Sequence, residues 1–195
     1  GNVPLSVSAT TVSTLLAPIL TPLFVVLYAG ATSSIEIQFM PMFISIVKIV
    51  LVPIILGIVL NYFIGSKIEL VKSVCPTIAA IAVLLILAAV TAVNQKQIAE
   101  TGFIIFVACL VQNVSGYVVT YFICKALSID ISSRRAMQIE VAMQNSALSV
   151  SLALKHFTPQ AAVAGAVFSI IHNFTGSIFA GICRKHDDQE KLENA

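Results

Sequence analysis

Six long apolar stretches, separated by short polar turns, occupy almost the whole of this 195-residue chain. A helix that crosses a bilayer needs about 20 consecutive, mostly apolar residues, and each stretch is close to that length. The polar turns between them include GSKIEL (65–70) and NQKQIAE (94–100). The sequence therefore predicts an all-α polytopic membrane protein, whose six spans, numbered in chain order, are 3–28, 39–64, 74–93, 102–124, 136–154 and 159–183.

The composition excludes several other classes of protein. Apolar residue types make up 58% of the chain, charged residues only 10%, and the mean hydropathy is +0.98. A soluble domain carries about 25% charged residues, so a soluble enzyme and a disordered tail both fit poorly. The net charge of +2 is too small to drive nucleic-acid binding. The motifs HExxH, GxSxG and GxGxxG and the P-loop are absent from the sequence, and we expect neither an enzyme nor a bound cofactor.

Loop charges predict the orientation of the spans. Eight Lys and Arg residues fall after spans two and four and in the tail, against two after spans one, three and five. By the positive-inside rule the first side is cytoplasmic, which places the C-terminal tail in the cytoplasm of a cell whose plasma or inner membrane holds the protein. The eight are Lys67, Lys72, Lys125, Arg134, Arg135, Arg184, Lys185 and Lys191, and the two are Lys96 and Lys155.

Only Lys48 and Glu140 are charged inside the six spans. A charge at mid-bilayer is costly and usually has a partner or a task. Glu140 opens the segment EVAMQNSALSV, with Gln144 and Asn145 close behind it. A continuous helix would put Glu140 and Gln144 on one face, whereas an unwound segment would free backbone carbonyls. Both arrangements gather hard oxygen ligands of the kind that sodium prefers, while a packing role with a neighbouring helix is the alternative.

Other spans also carry polar side chains at depths where lipid is expected. Span one opens with SVSATTVST, whose Ser6 and Thr10 share a helical face, and its Pro18 and Pro22 predict a kink or a helix end. These hydroxyls, taken alone, fit close helix packing. Span six contains His172 and Asn173, which suit either packing or a cavity wall, and Gln112 and Asn113 of span four suggest hydrogen bonds between helices.

Three segments resemble the bile acid:sodium symporter family. EVAMQNSALSV (140–150) is similar to the Glu-x-Gly-x-Gln-Asn pattern at the break of that family's second crossed helix, with Ala142 in place of the usual Gly. GNVPLSVSATTVSTLLAPILTP (1–22) resembles the helix that follows the family's first crossed helix. FSIIHNFTGS (168–177) resembles the family's final helix. The three matches occur in the family's order and span nearly the whole chain.

The resemblance implies a fold of ten helices in two inverted repeats, of which this chain would supply helices five to ten. Residues 1–30 would then be a core-domain helix, 31–95 panel-domain helices, 96–185 core-domain helices with a break near 140–145, and 186–195 a cytoplasmic tail. The chain starts with Gly1 and enters an apolar run at once, so we expect a fragment or processed product that lacks an N-terminal four-helix half.

The resemblance also implies roles for single residues. Glu140 would bridge two sodium ions, with oxygens from Ser6 and Thr10 at one ion and from Gln144 at the other. The backbone carbonyls of Val141 and Met143 would complete the second site, while Asn145 and His172 would face the substrate.

These roles together predict sodium-coupled uptake of an organic anion, such as a bile acid or a small organic acid, by alternating access. Sodium ions, the anion and the lipid bilayer would be its partners, and nucleic acid would not. Two alternatives stay open: a proton-coupled or efflux transporter of the same fold, and a membrane scaffold or subunit that transports nothing.

Overall fold

The computed structural model describes residues 1–32, 37–64 and 69–193, and every regular element in these ranges is helical. The predicted turn at 65–70 and the loop after span one lie largely outside the described residues. The elements in chain order are α1 (Val3–Thr32), α2 (Phe39–Ile46), a π-helical segment (Val47–Leu51), α3 (Val52–Ile64), α4 (Glu69–Val93), α5 (Gln95–Ala126), α6 (Ile131–Ala142), α7 (Ser146–His156) and α8 (Ala161–Glu193).

Five of the six predicted spans form helices that are long and apolar enough to cross a membrane. They correspond to α1, to the continuous helical run from α2 to α3, and to α4, α5 and α8. Span two carries a π-helical segment that contains Lys48, and such segments interrupt the regular hydrogen-bond ladder of a helix.

Of the two effects predicted for the prolines of span one, a helix end does not occur, and the last span differs from expectation in detail. α1 does not end at Pro18 or Pro22 but continues through both to Thr32. Pro159, predicted in the first turn of span six, lies in the turn before α8, where Ala162 N–H donates to its carbonyl at 3.2 Å. α8 also continues through most of the predicted tail, to Glu193.

The fifth predicted span is two short helices with a non-helical link at 143–145. α6 has 12 residues and α7 has 11, so neither is long enough to cross a bilayer alone. Of the two arrangements left open by the sequence, the structure has the unwound one.

The turn predicted at 94–100 is reduced to the single residue Asn94, because α5 already begins at Gln95. The next residues, QKQIAE, include good helix formers, and the hydrogen-bond ladder continues across the corner. Asn94 N–H donates to the Val90 carbonyl at 3.1 Å, and the Asn94 carbonyl accepts from Ile98 N–H at 2.9 Å. The Asn94 side chain is buried and donates to the same Val90 carbonyl at 2.8 Å.

The described helices pack around the broken pair. α5 contacts α6 and α8, α7 lies along α8, and α1 contacts α6. Of the helices predicted to form the panel, α2 packs on α1 and α7, whereas α4 packs on α5 and α8. The division into core and panel stays a prediction.

Large apolar side chains cover the outside of the helices, as expected for a protein surrounded by lipid. α3 exposes an almost unbroken apolar surface and carries in its last turn the aromatic residues Tyr62 and Phe63, which are 83% and 76% exposed. Aromatic residues are enriched where a helix leaves the hydrocarbon layer. Exposed apolar residues on α3 include Ile54, Ile55, Leu56, Ile58, Val59 and Leu60.

Candidate cation site at the broken helix

The carboxylate of Glu140, near the end of α6, faces the first half of α1. One of its oxygens, Oε1, accepts a hydrogen bond from the Ser6 hydroxyl. The other, Oε2, accepts from the Thr10 hydroxyl at 2.6 Å. Ser6 and Thr10 are one helical turn apart, so both hydroxyls reach the same carboxylate. Both hydrogen-bond partners that the described residues give Glu140 are therefore neutral hydroxyls, with oxygens that could also bind a cation.

The start of α1 is held against the start of α6 by Asn2. Its backbone N–H donates to the Ser132 carbonyl at 3.1 Å, and its side-chain amide donates to the Ser133 hydroxyl at 3.0 Å. Its Oδ1 also accepts from Leu5 N–H at 3.2 Å. These bonds fix where α1 begins, and thereby which of its turns faces Glu140.

The helix breaks without a left-handed residue at either edge. Ala142 is the last residue of α6, Met143 follows with φ −94° and ψ 90°, and Asn145 has φ −77° and ψ 76°. Among the described residues other than glycine, only Ser128 has a positive φ. Residues with a Cβ adopt negative φ angles freely, so Ala142 is compatible with the break at a position where the family pattern has Gly.

The break leaves polar backbone groups beside Glu140. Among the described residues, the Val141 carbonyl receives only a long contact of 3.5 Å from the Gln144 side-chain amide, at the limit of hydrogen bonding. The Val141 and Met143 side chains are 43% and 38% exposed, and Gln144 is exposed as well. The predicted ligands Val141, Met143 and Gln144 therefore lie at one unwound turn, within four residues of Glu140 along the chain.

Glycine on α8 lets Met143 pack against that helix. A Cβ atom at Gly176 would lie 2.9 Å from the Met143 sulfur, closer than such atoms approach. The unwound link is thus in direct contact with α8.

Asn145 both caps α7 and lines cavities on either side of the link. Its side-chain oxygen accepts from Leu148 N–H at 3.1 Å. With Gln144 it borders a small cavity of about 160 Å³, which α5 and α8 line through Gln112 and Phe168. The same two residues border a larger cavity of about 450 Å³, which α1 and α2 enclose through Thr21 and Met42. Asn145 is placed where a molecule in either cavity would contact it.

His172 lies apart from these cavities. Its ring is 7% exposed and packs edge-to-face on Phe168, with ring centroids 5.4 Å apart. Its Nδ1 is buried without a hydrogen-bond partner among the described residues. His172 is not among the residues that line the two cavities at Asn145, although its neighbour Phe168 lines the smaller one. Contact of His172 with substrate stays a prediction.

Two polar residues on other helices also hold the break. Asn113 of α5 donates from Nδ2 to the Ala142 carbonyl at 2.9 Å, and Thr175 of α8 donates to Asn113 Oδ1 at 2.7 Å. The sequence indicated Asn113 as a residue that bonds between helices, but it did not reveal which atom Asn113 holds. Thr175 lies in the segment FSIIHNFTGS of span six, but nothing in the sequence assigned it a role, because a Thr in a span is common.

The donor set suits a hard, weakly polarising cation. Carboxylate, hydroxyl, amide and carbonyl oxygens are ligands of sodium-type ions, whereas zinc and copper favour imidazole and thiolate. No group of three or more His, Cys, Asp or Glu that could hold a metal ion occurs among the described residues.

Comparison with known proteins identifies the family of the chain. The model of the Sodium Bile acid symporter family matches residues 1–101, which include Ser6 and Thr10. The protein named Uncharacterized sodium-dependent transporter YocS, of Bacillus subtilis (strain 168), is 38% identical over 185 residues, covering 92% of this chain and 56% of its own length. The chain belongs to the Sodium Bile acid symporter family.

Plant relatives extend the match beyond the first half of the chain. Two carry the name Probable sodium/metabolite cotransporter BASS1, chloroplastic. The one from Oryza sativa subsp. japonica is 38% identical over 192 residues, covering 98% of this chain and 47% of its own. The one from Arabidopsis thaliana is 36% identical over 186 residues, covering 95% of this chain and 46% of its own. The chain spans about half the length of these relatives.

Family membership confirms several of the predictions. The chain is an all-helical, multi-pass membrane protein of a transporter family and not an enzyme. Its relatives are named as sodium-dependent or sodium/metabolite transporters, and these names do not specify a bile acid as the metabolite.

Proposed function

We propose that this protein is the sodium-binding part of a symporter that drives uptake of an organic anion by alternating access. The observation that carries the proposal is the Glu140 carboxylate, shared between the Ser6 and Thr10 hydroxyls beside an unwound turn. Relatives named for sodium dependence support the choice of ion. The domain division and the ligand roles predicted above are part of this proposal.

The site offers two sets of oxygens around one carboxylate. Ser6 and Thr10 lie on the α1 side of Glu140, while Gln144 and the carbonyls of Val141 and Met143 lie toward the unwound link. A sodium ion on the first side would replace the hydrogens that the two hydroxyls now donate to the carboxylate. An ion on the second side would tie the link to α6. Each ion offsets the cost of holding a carboxylate at the depth of the bilayer.

Ion binding and substrate binding would meet at the link. Gln144 and Asn145 border both cavities, so an ion that orders residues 143–145 also fixes two walls of the space for substrate. The first turn of α7 begins at Ser146, and its positive dipole end favours an anionic group next to Asn145. A bile acid or a smaller organic acid would meet these requirements.

The energetics are sufficient for uptake against a gradient. Two sodium ions entering with one monoanion carry a net single positive charge, which a potential of 100 mV drives with about 2.3 kcal/mol. A tenfold sodium gradient adds about 1.4 kcal/mol for each ion. Together these terms support accumulation of roughly several thousandfold.

We place the protein in a cell membrane with its C-terminus in the cytoplasm. The support is the loop-charge asymmetry, with the basic residues Lys125, Arg134 and Arg135 around the α5–α6 turn.

The test is radioactive sodium binding and sodium-dependent uptake by the complete gene product in liposomes, with labelled bile acids and small organic acids as probes. Glu140→Gln keeps the size of the side chain and removes its charge, so we expect both activities to be lost. Glu100→Gln, which alters an exposed carboxyl on α5, is the matched control and should behave as the unaltered protein. Unchanged sodium binding in Glu140→Gln would refute the proposal.

Replacing sodium with choline separates the two alternatives. Uptake that survives in choline and follows a proton gradient would indicate a proton-coupled member of the same fold. A protein that neither binds sodium nor moves any probe would indicate a scaffold.

A further inference from the structure

Deep in the helix bundle, one peptide plane at the end of α6 is held on both of its edges. The plane contains the carbonyl of Ala142 and the N–H of Met143. The N–H donates within α6, to the Ile139 carbonyl at 2.8 Å. The carbonyl accepts from Asn113 Nδ2 at 2.9 Å. Beyond this plane the helix unwinds, so its two bonds fix the residue at which α6 stops.

The amide of Asn113 has only one possible orientation. A backbone carbonyl accepts hydrogen bonds and cannot donate them, so the atom that faces Ala142 must be the NH₂ group. Oδ1 therefore faces Thr175, whose hydroxyl lies 2.7 Å away and supplies the proton. The Thr175 hydroxyl is farther from the carbonyls of its own helix, at 3.0 Å from Ile171 and 3.2 Å from His172.

Burial isolates Asn113 from water, while Thr175 is half-buried. Asn113 is 1% exposed, so neither of its polar ends can exchange its partner for solvent. Thr175 belongs to α8 and Asn113 to α5, while the carbonyl that they hold belongs to α6. Three helices are thus joined at the point where the backbone leaves the helical path.

We propose that Asn113 and Thr175 are positioning residues that hold the end of α6 in the sodium-binding geometry, an inference that rests on the function proposed above. Asn113 holds the Ala142 carbonyl with one hydrogen bond and so fixes the direction of that peptide plane. The carbonyl before it, that of Val141, has only the 3.5 Å contact from Gln144 within the described part of the chain and stays available. Groups behind the ligands of a metal orient those ligands, and losing one typically weakens binding about 10- to 100-fold.

The decisive comparison is between two substitutions at Thr175. Thr175→Ser keeps the hydroxyl and should bind sodium like the unaltered protein. Thr175→Val keeps the shape but removes the proton that Asn113 Oδ1 accepts, and we expect the half-saturating sodium concentration to rise about 10-fold. Asn113→Leu, which also frees the Ala142 carbonyl, should raise it further.

The matched control is Ser115→Ala, on the same helix as Asn113. The Ser115 hydroxyl is exposed and bonds the Gln112 carbonyl of its own helix, at 2.8 Å, so sodium binding should not change. The measurement is equilibrium binding of radioactive sodium to the purified complete gene product, normalised to the amount of folded protein. A purely structural role would lower the folded amount and leave the half-saturating concentration unchanged.

Failure of the positioning proposal and failure of the sodium-site proposal would give different results. If Glu140→Gln abolishes binding while Thr175→Val and Thr175→Ser bind sodium equally well, the positioning role of Asn113 and Thr175 is refuted and the sodium site stands. If Glu140→Gln binds sodium normally, the sodium site itself is refuted, and with it the positioning role of Asn113 and Thr175. Should Asn113→Leu fail to fold, the pair at Thr175 decides the question.

Discussion

Ser6 and Thr10 both donate hydrogen bonds to the carboxylate of Glu140. Because two hydroxyls contact one carboxylate, a single substitution can remove only half of these contacts. Each hydroxyl bonds a different oxygen of Glu140. Removing one hydroxyl leaves the other in place, so each substitution should lower the sodium affinity of the site by part of the total.

The first prediction concerns these hydroxyls. Ser6→Ala and Thr10→Val should each raise the half-saturating sodium concentration several-fold, and the double substitution should have a larger effect because both act on one ion. Ser8→Ala is the control, since the Ser8 hydroxyl is exposed and bonds the Pro4 carbonyl one turn back at 2.8 Å. The measurement is sodium titration of binding. An equal effect of Ser8→Ala would mean that α1, and not its hydroxyls, limits binding.

A second prediction concerns the cap of α6, outside the spans. Asp130 Oδ1 accepts from the backbone N–H of Ser133 at 2.9 Å, and this bond, with others from the same turn, holds the pKa of Asp130 below its ordinary value. A carboxyl with a lowered pKa stabilises the fold above its unfolded pKa of about 3.9 and loses that effect as the pH falls through the lower, folded value.

Asp130→Asn should therefore lower the melting temperature at neutral pH, and the difference from the unaltered protein should shrink in acid. Thermal unfolding in detergent over a series of pH values measures this. A difference that stays constant down to the most acidic sample would show that the charge of Asp130 contributes nothing.

At the scale of the helix, the sequence predicted the spans well and the site less completely. Runs of apolar residues set span positions, because a bilayer imposes a length on any helix within it. The break at Met143–Asn145 was one of two possibilities, since Glu140 and Gln144 would share a face in a continuous helix too. What decides between them is tertiary: Asn113 bonds Ala142 from 29 residues away.

The single-residue corner at Asn94 was missed for a related reason. Polar residues such as Gln95 and Lys96 are typical of loops between spans, yet they also extend helices well. Their polarity reports proximity to water and does not reveal where the hydrogen-bond ladder ends.

A third prediction follows from the closeness of α7 and α8. A Cβ atom at Gly165 would lie 2.9 Å from a methyl group of Val150 and 3.3 Å from the Val150 backbone nitrogen. Gly165→Ala should therefore force the helices apart and cost about 1–3 kcal/mol, as overpacking does. Gly57→Ala, which meets nothing within 4 Å, should be neutral or slightly stabilising. Chemical unfolding in mixed micelles compares the two, and equal effects would contradict the close packing.

At the scale of the whole molecule, α2 and α7 are joined by a buried contact that alternating access would have to open. Met42, Ile46 and Leu152 form an apolar cluster there, and Met42 and Ile46 are fully buried. Beside it His156 Nε2 lies 2.9 Å from the Ser45 hydroxyl. α2 belongs to the predicted panel and α7 to the predicted core, so under the proposed mechanism this contact would lie between the two domains.

The fourth prediction is that locking this contact stops transport. In Ser45→Cys, a cadmium ion can bridge the new thiolate and His156, because the two side chains already meet. Micromolar cadmium should then block sodium-driven uptake, and removal by a chelator should restore it. The double variant Ser45→Cys with His156→Ala should resist cadmium. Inhibition that persists in the double variant would show that the metal acts elsewhere.

The corner at Asn94 also limits how the molecule can move. The predicted boundary between panel and core falls beside it, at residues 95 and 96, where α4 passes into α5 without any slack chain. Because one residue connects the two helices, α4 could not slide along α5, but it could rotate about Asn94. The displacement of α4 would then be smallest near Val93 and greatest at Glu69, at the opposite end of this 25-residue helix.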